Sequence, residues 1–150
     1  MTPRPQLLAL ARATAQRHHL APELVCAVIE QESSWNPWAL RYEPAFYEHY
    51  VAPQLARGAI ADEGEARARA FSWGLMQVMG QVAREHGFAG ASLAQLCDPA
   101  TGLDAGCRVL AAKLAAADGN VANALQLWNG GANPAYAAEV LARMPRYAVV

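Results

Sequence analysis

The chain has 150 residues, of which 54% are hydrophobic and 17% charged, and its formal net charge is −1. These values are typical of one globular domain with its own core and exclude an intrinsically disordered chain. The lack of a basic excess argues against a nucleic-acid partner, and no apolar run is long enough to cross a membrane.

Two helices are predicted in the N-terminal part of the chain. Residues 4–19 have a helix-favouring composition rich in Leu and Ala, and Pro22 suits the first turn of the next helix. The first ten residues lack the apolar region and the cleavage site of a signal peptide. We therefore expect both helices to be part of the folded domain.

The second helix carries the most informative pattern of the chain. Val25, Val28 and Ile29 form one apolar face, and the next position of that face is Glu32. Glu30 points elsewhere and is predicted to be solvated. A carboxyl group that faces a core must be paired or protonated, and burial raises its pKa toward the range of a general acid. The pattern thus leaves two interpretations of Glu32, a structural ion pair and a catalytic acid.

Five further helices are predicted from apolar spacing and from the Gly, Pro, Ser and Asp residues at their ends. They span 74–86, a short segment after Ser92, 99–117, 121–129 and a last segment from Pro134. Within the first of these, Gly80 is expected to leave space beside Gln77, so that the Gln77 amide faces a cleft. No long stretch alternates apolar and polar residues, so we expect an all-α fold with little or no β-sheet.

Three short blocks occur in order along the chain, an E-S-x-x-N-P block at 32–37, a G-L-M-Q block at 74–77 and a W-N-x-G block at 128–131. Together they resemble the lytic transglycosylase family with the soluble-transglycosylase, lysozyme-like fold, over about residues 20–145. The resemblance implies a single helical domain over 1–150, lysozyme-like or similar to the goose-type lysozymes, with a substrate groove. It also implies an insertion at about 39–71, where most members have a shorter link.

The resemblance implies cleavage of the β-1,4 bond between N-acetylmuramic acid and N-acetylglucosamine in peptidoglycan. Members use one Glu as general acid and base, and the sugar's own 6-hydroxyl closes a 1,6-anhydro ring. By position in the blocks, Glu32 is that acid, and Ser33 is counted among the groove residues and would also orient the turn after Glu32. The groove residues carried over in the same way are Ser72, Met76, Gln77, Trp128 and Asn129.

One residue departs from the family pattern, because Trp128 stands where members usually have Tyr. The indole N–H can still donate a hydrogen bond, but the Tyr hydroxyl is missing. Trp128 is therefore interpreted either as a groove residue or as a core aromatic. Tyr136, on the last helix, is a second candidate to reach the site.

The predicted insertion is rich in aromatic residues that could stack on sugars. Tyr42 is expected to line the groove, whereas Phe46 and Tyr50 are expected to pack the insertion onto the body. A second carboxylate in the groove would permit attack by water and make the protein a hydrolytic muramidase. Glu43 is the preferred candidate for that carboxylate, ahead of Glu48.

Several further expectations complete the sequence-based interpretation. Cys97 and Cys107 are either a disulfide or two unrelated thiols, and Cys26 is a small buried residue. The four His residues have no metal-site spacing, so we expect no metal and no cofactor. We expect a monomer that binds peptidoglycan strands and acts on the cell wall, and that stays cytoplasmic until released or exported, or is phage-associated. Alternatives to the transglycosylase are the muramidase, a non-catalytic glycan-binding or virion module, and a chitin-cleaving enzyme.

Overall fold

A computed structural model describes residues 3–149 of the chain. It is mostly helical, with one small sheet, as the sequence predicts. The α-helices are α1 (Pro5–Arg17), α2 (Pro22–Ser33), α3 (Pro44–Phe46), α4 (Ala52–Ala56), α5 (Glu63–Arg69), α6 (Gly80–Glu85), α7 (Pro99–Ala116), α8 (Val121–Asn129) and α9 (Tyr136–Arg143). A π-helical turn (Tyr47–Val51) joins α3 to α4, and 3-10 helices span Leu93–Cys97 and Met144–Tyr147. No helix in this part of the chain combines the length and apolarity needed to cross a bilayer.

Helix α2 runs through the centre of the core. Its residues 24–29 are all buried, and it packs against α1, α9 and the C-terminal 3-10 helix. A helix that is apolar on every side is stable only when other elements surround it. It ends at Ser33, and Ser34 and Trp35 follow in the left-handed conformation, which turns the chain sharply away from the helix axis. This turn leaves Glu32 in the last turn of α2, at the edge of the core.

The sheet consists of three short antiparallel strands, β1 (Leu40–Tyr42), β2 (Phe71–Trp73) and β3 (Val78–Met79). Arg41 pairs with Ser72, which in turn pairs with Met79. Residues directly opposite each other project from the same face of a sheet. The row Arg41–Ser72–Met79 therefore lies on one face, and it is this face that the cleft described below uses.

The predicted helix over 74–86 is wrong in its first half. Gly74 to Gln77 form a turn, β3 follows, and only Gly80–Glu85 is helical. Gly80 does not make room beside Gln77, because a Cβ there would lie 2.6 Å from the Ala68 carbonyl oxygen and 2.8 Å from Leu93. Its lack of a side chain instead allows α6 to approach the end of α5 closely.

The segment predicted as an insertion, residues 39–71, contains β1, α3, α4, α5 and the start of β2. It has a small apolar cluster of its own, formed by Tyr47, Val51, Ile60, Ala66 and Ala70. Glu65 on α5 pairs with Arg84 on α6 at 2.6 Å and ties the segment to the body. The segment is thus folded around its own apolar cluster and packed against the rest of the chain, and it is not an open loop.

All three cysteines in the chain are free thiols in the structure. Cys26 and Cys107 are fully buried, and their burial raises the pKa of Cys26 to about 11 and that of Cys107 to about 12. Of the two alternatives for Cys97 and Cys107, the structure contains the unpaired thiols.

The prediction that Glu30 is solvated, made from the helical spacing, is wrong. Its side chain is only 11% exposed and pairs with Arg143 at 2.9 Å and Arg146 at 3.0 Å. Burial acts to raise the pKa of Glu30, but the hydrogen bond from Arg143 and the charge of Arg146 outweigh it and lower the pKa overall. The last turn of α2 is therefore fastened to the C-terminal end of the chain.

Candidate active site

A cleft of about 620 Å³ opens beside the C-terminal end of α2. Four parts of the chain line it: the last turn of α2, the sheet with the segment after β1, the facing sides of α6 and α7, and the end of α8 with the turn after it. Glu32 is the residue that α2 contributes. The cleft is thus formed around the one carboxyl group that the α2 pattern directs toward the core.

Two hydrogen bonds hold the Glu32 carboxyl group in place. The Tyr136 hydroxyl donates to Glu32 Oε2 at 2.5 Å, and the Trp128 indole Nε1 donates to the same oxygen at 3.2 Å. A hydrogen-bonded acceptor oxygen is the poorer place for a proton. When the carboxyl group is protonated, the proton therefore resides on Oε1, the oxygen without these donors.

The pKa of Glu32 is raised above its ordinary value. Burial is the largest cause, because it disfavours the charged carboxylate. The hydrogen bonds from Tyr136 and Trp128 and the positive charge of Arg41 act in the opposite direction without cancelling it. Glu32 is consequently protonated over a wider pH range than an exposed glutamate, as a general acid requires.

Trp128 fits both interpretations that the sequence left open, a groove residue and a core aromatic. It is half-buried against the core, and it also lines the cleft and donates to Glu32. Tyr136 is 3% exposed and is the closer donor to the acid. The hydroxyl that the W-N-x-G block lacks is therefore present at Glu32, supplied from α9.

Gln77 and Asn129 both line the cleft, and each is fixed by hydrogen bonds to the backbone. Gln77 Nε2 donates to the carbonyl oxygens of Ala39 and Gly74, both at 2.9 Å, which leaves its Oε1 as an acceptor for a ligand. The orientation of Asn129 that satisfies its neighbours has Oδ1 accepting from the backbone N–H groups of Ala132 and Asn133, at 3.1 and 2.8 Å. Its Nδ2 is then the donor available to the cleft.

Two residues that the sequence placed at the groove lie elsewhere. Met76 is 1% exposed and packs in the core against Gly106 on α7, because the turn at 74–77 directs it inward. Ser33 does not line the cleft, and its hydroxyl donates to the Leu75 carbonyl oxygen at 2.7 Å. Ser33 thus connects the end of α2 to the turn that carries Gln77, which agrees with an orienting role.

The aromatic residues of the 39–71 segment are arranged opposite to the sequence-based expectation. Phe46 and Tyr50 line the cleft, with their ring centroids 5.0 Å apart. Tyr42 does not line the cleft. Its ring packs against that of Phe71, with the ring centroids 4.9 Å apart, and its hydroxyl accepts a hydrogen bond from Arg67 at 3.0 Å. Their helical spacing could not distinguish the packing face from the cleft face, because both faces carry aromatic rings.

Glu43 lines the cleft as a second carboxylate, and Glu48 does not. Arg41 Nε donates to Glu43 Oε1 at 2.6 Å, so the pair is held together at the end of β1. Arg41 also lines the cleft, beside its strand partner Ser72. Arg41 was not predicted from the sequence, although residues two apart in an extended segment project from the same face, which places Arg41 beside Glu43.

Lys113 is a second charged cleft residue that was not predicted from the sequence. It lies on α7 one turn after Val109, and both line the cleft. The available signal was its rarity, because Lys113 is the one lysine among the 150 residues. Its place in the cleft depends on how α7 packs beside α8, which its own spacing does not reveal.

A family model described as the transglycosylase SLT domain matches residues 9–143 of the chain. This range includes the last turn of α2, the sheet, and the α8 and α9 residues that surround Glu32. No curated protein and no solved structure matches the chain significantly.

Proposed function

We propose that this chain, which belongs to the transglycosylase SLT domain family, uses Glu32 to cleave the β-1,4 bond between N-acetylmuramic acid and N-acetylglucosamine without adding water. One observation carries the proposal. A single carboxyl group with a raised pKa faces a sugar-sized cleft, held by two donors on one of its oxygens.

In the first step, Glu32 Oε1–H donates its proton to the glycosidic oxygen. The bond from that oxygen to C1 of the muramic acid breaks, and positive charge develops on the sugar ring. The Glu32 carboxylate that remains lies beside this charge and stabilises it. Tyr136 and Trp128 keep the carboxylate aimed and share its negative charge through their hydrogen bonds on Oε2.

In the second step, the 6-hydroxyl of the same muramic acid attacks C1. Its proton passes to Glu32, which returns to the acid form, and the product is a 1,6-anhydromuramic acid end. No water is consumed, so a second carboxylate that activates water is not needed. Gln77 Oε1 and Asn129 Nδ2 offer an acceptor and a donor for the N-acetyl and hydroxyl groups of the bound sugars.

The test is Glu32→Gln, with Glu23→Gln at the start of the same helix as the matched control. We expect Glu32→Gln to lower fragment release from cell-wall sacculi by at least about a hundredfold, as loss of a general acid does. The control should release fragments at the wild-type rate, and mass spectrometry should find anhydro ends. Retained release by Glu32→Gln, or binding of sacculi by the wild type without release, contradicts the proposal.

The same substitution has a defined effect on stability. Because the folded state raises the pKa of Glu32, ionised Glu32 weakens folding at pH values above that raised pKa. Below the unfolded-state pKa the group is protonated in both states, and the effect is absent. Glu32→Gln should therefore unfold at the wild-type temperature or higher at neutral pH, and this difference should disappear in acid.

Glu43 supports a second candidate function, hydrolysis by a muramidase on the same scaffold. Its carboxylate lines the cleft with Glu32 and could activate a water. Its ion pair with Arg41 favours a structural role instead. A hydrolase would leave reducing ends heavier by one water than anhydro ends, and Glu43→Gln would abolish release. A transglycosylase would keep its anhydro product in that variant.

A further inference from the structure

The charges that line the cleft do not balance. Four acidic or basic side chains are present, those of Glu32, Arg41, Glu43 and Lys113. Arg41 and Glu43 neutralise each other at 2.6 Å, and Glu32 is uncharged in the form that can act as an acid. The acid-competent cleft therefore carries one net positive charge, that of the Lys113 ammonium.

Lys113 is free to bind a ligand from its position on α7. Within residues 3–149 it has no ion-pair partner and no side-chain hydrogen bond, and it is only half-buried. An ammonium on a flexible stem is a point charge that can follow an anionic group. In a partly enclosed cleft its attraction is screened less than at an open surface.

We propose that Lys113 binds a carboxylate carried by the muramic acid unit, and so makes the cleft prefer muramic acid strands to neutral chitin. This inference rests on the proposed function, because it names what the same cleft recognises. Muramic acid differs from N-acetylglucosamine by a lactyl group whose carboxylate is free in peptide-free strands. When a stem peptide is attached there, that peptide carries carboxylates of its own.

Binding is measured in the Glu32→Gln protein, so that the strands are not cleaved. The ligands are peptide-free glycan strands, strands that carry stem peptides, and chitotetraose, which has no carboxylate. Adding Lys113→Gln should weaken binding of at least one anionic ligand by about three- to tenfold, the range of one charge-assisted contact at a half-buried site. The affinity for chitotetraose should stay unchanged, and Lys113→Arg should bind the anionic ligand with the affinity of the protein that keeps Lys113.

The identity of the anionic ligand that loses affinity gives the source of the carboxylate. Peptide-free strands point to the lactyl group, and peptide-bearing strands alone point to the stem peptide. Equal loss for all three ligands, or loss for none, overturns the proposal. Arg17→Gln removes one positive charge from an exposed side chain at the end of α1, outside the cleft, and should change none of the three affinities.

The single lysine also permits a chemical test on the unmutated side chain. Amine-selective acetylation removes the Lys113 charge and reductive dimethylation keeps it, and the only other amine that either reaction modifies is the α-amino group of the chain. Acetylation should reproduce the Lys113→Gln loss and dimethylation should not. Acetylated Lys113→Gln protein is the control for the terminus. Identical effects of the two reagents on the anionic ligands overturn the proposal.

The two proposals fail in different experiments. If the wild type releases no fragments, the catalytic function fails, but the binding series still decides the role of Lys113. If the wild type releases anhydro fragments and the Lys113 variants bind all ligands equally, only the Lys113 proposal fails. An unfolding temperature close to that of the wild type shows, for each variant, that a loss of binding or of fragment release does not come from misfolding.

Discussion

At the scale of single residues, burial and hydrogen bonding have opposite effects on the pKa of Glu32. Burial raises its pKa, and the donors Tyr136 and Trp128 restrain that rise while fixing the side chain. Burial in turn raises the pKa of Tyr136, with the negative charge of Glu32 adding to the effect. The Tyr136 hydroxyl therefore keeps its proton and remains a donor throughout the pH range of the reaction.

Tyr136→Phe tests this arrangement, because it removes the shorter of the two hydrogen bonds. That bond favours the ionised carboxylate, so its loss raises the pKa of Glu32 further. Activity that needs protonated Glu32 falls as pH rises through this pKa, so the alkaline limb of kcat/KM should move to higher pH. Trp128→Phe removes the longer bond and should give a smaller move in the same direction. A limb that stays in place in both variants contradicts this account.

At the scale of elements, α7 approaches its neighbours through glycines on one face. A Cβ at Gly102 would overlap the Leu96 carbonyl oxygen in the preceding 3-10 helix. A Cβ at Gly106 would meet the Met76 side chain, with Met76 Cβ at 2.9 Å and Cε at 3.1 Å. These close approaches place α7, and with it Val109 and Lys113, at the wall of the cleft.

Gly102→Ala should therefore destabilise the protein, although alanine normally favours a helix by up to about 1 kcal/mol over glycine. The backbone of Leu96 cannot move aside cheaply, so we expect a loss of about 1–3 kcal/mol in the free energy of unfolding, measured with urea. Gly106→Ala is the matched variant on the same face. Its cost should be smaller, because a rotamer change can move Met76 Sδ and Cε aside, so that only the contact with Met76 Cβ at 2.9 Å requires a small backbone shift. A Gly102→Ala protein as stable as the wild type would contradict the assigned contact.

At the scale of the whole molecule, the two ends of the described chain meet around α2. Arg12 on α1 donates to the Tyr147 carbonyl oxygen at 2.8 Å, and Trp35 Nε1 donates to the Tyr147 hydroxyl at 3.0 Å. Glu30 adds its ion pairs with Arg143 and Arg146. The C-terminal segment thus holds the helix that carries Glu32, and it follows directly on α9, which carries Tyr136.

Glu30→Gln should weaken this closure by about 1–2 kcal/mol at neutral pH, as expected for hydrogen-bonded charges at a mostly buried site. The folded state lowers the pKa of Glu30, so its stabilising contribution is present above the unfolded-state pKa. That contribution is lost as pH falls through the lowered folded-state pKa. Unfolding temperatures of variant and wild type should therefore converge in acid. A constant difference at every pH would indicate a packing effect instead of an ionic one.

The sequence by itself determined the features that depend on near neighbours along the chain. The apolar face of α2 and its continuation onto Glu32 follow from helical spacing. The positions at which α7 and α8 begin follow from their N-cap residues Asp98 and Asn120. The motif blocks predicted the family that the match over residues 9–143 confirms. The short strands were not predictable, because two or three residues are too few for alternation to be recognised.

Only the tertiary structure decided which side chains meet at Glu32 and in the cleft. Tyr136 is 104 positions away in the sequence, and nothing local indicates that its hydroxyl reaches Oε2. The turn at 74–77 sent Met76 into the core, and the packing of the 39–71 segment turned Phe46 and Tyr50 toward the cleft. Periodicity reports which residues share a face of one element. Which element then covers that face is set by long-range packing, which the local pattern does not contain.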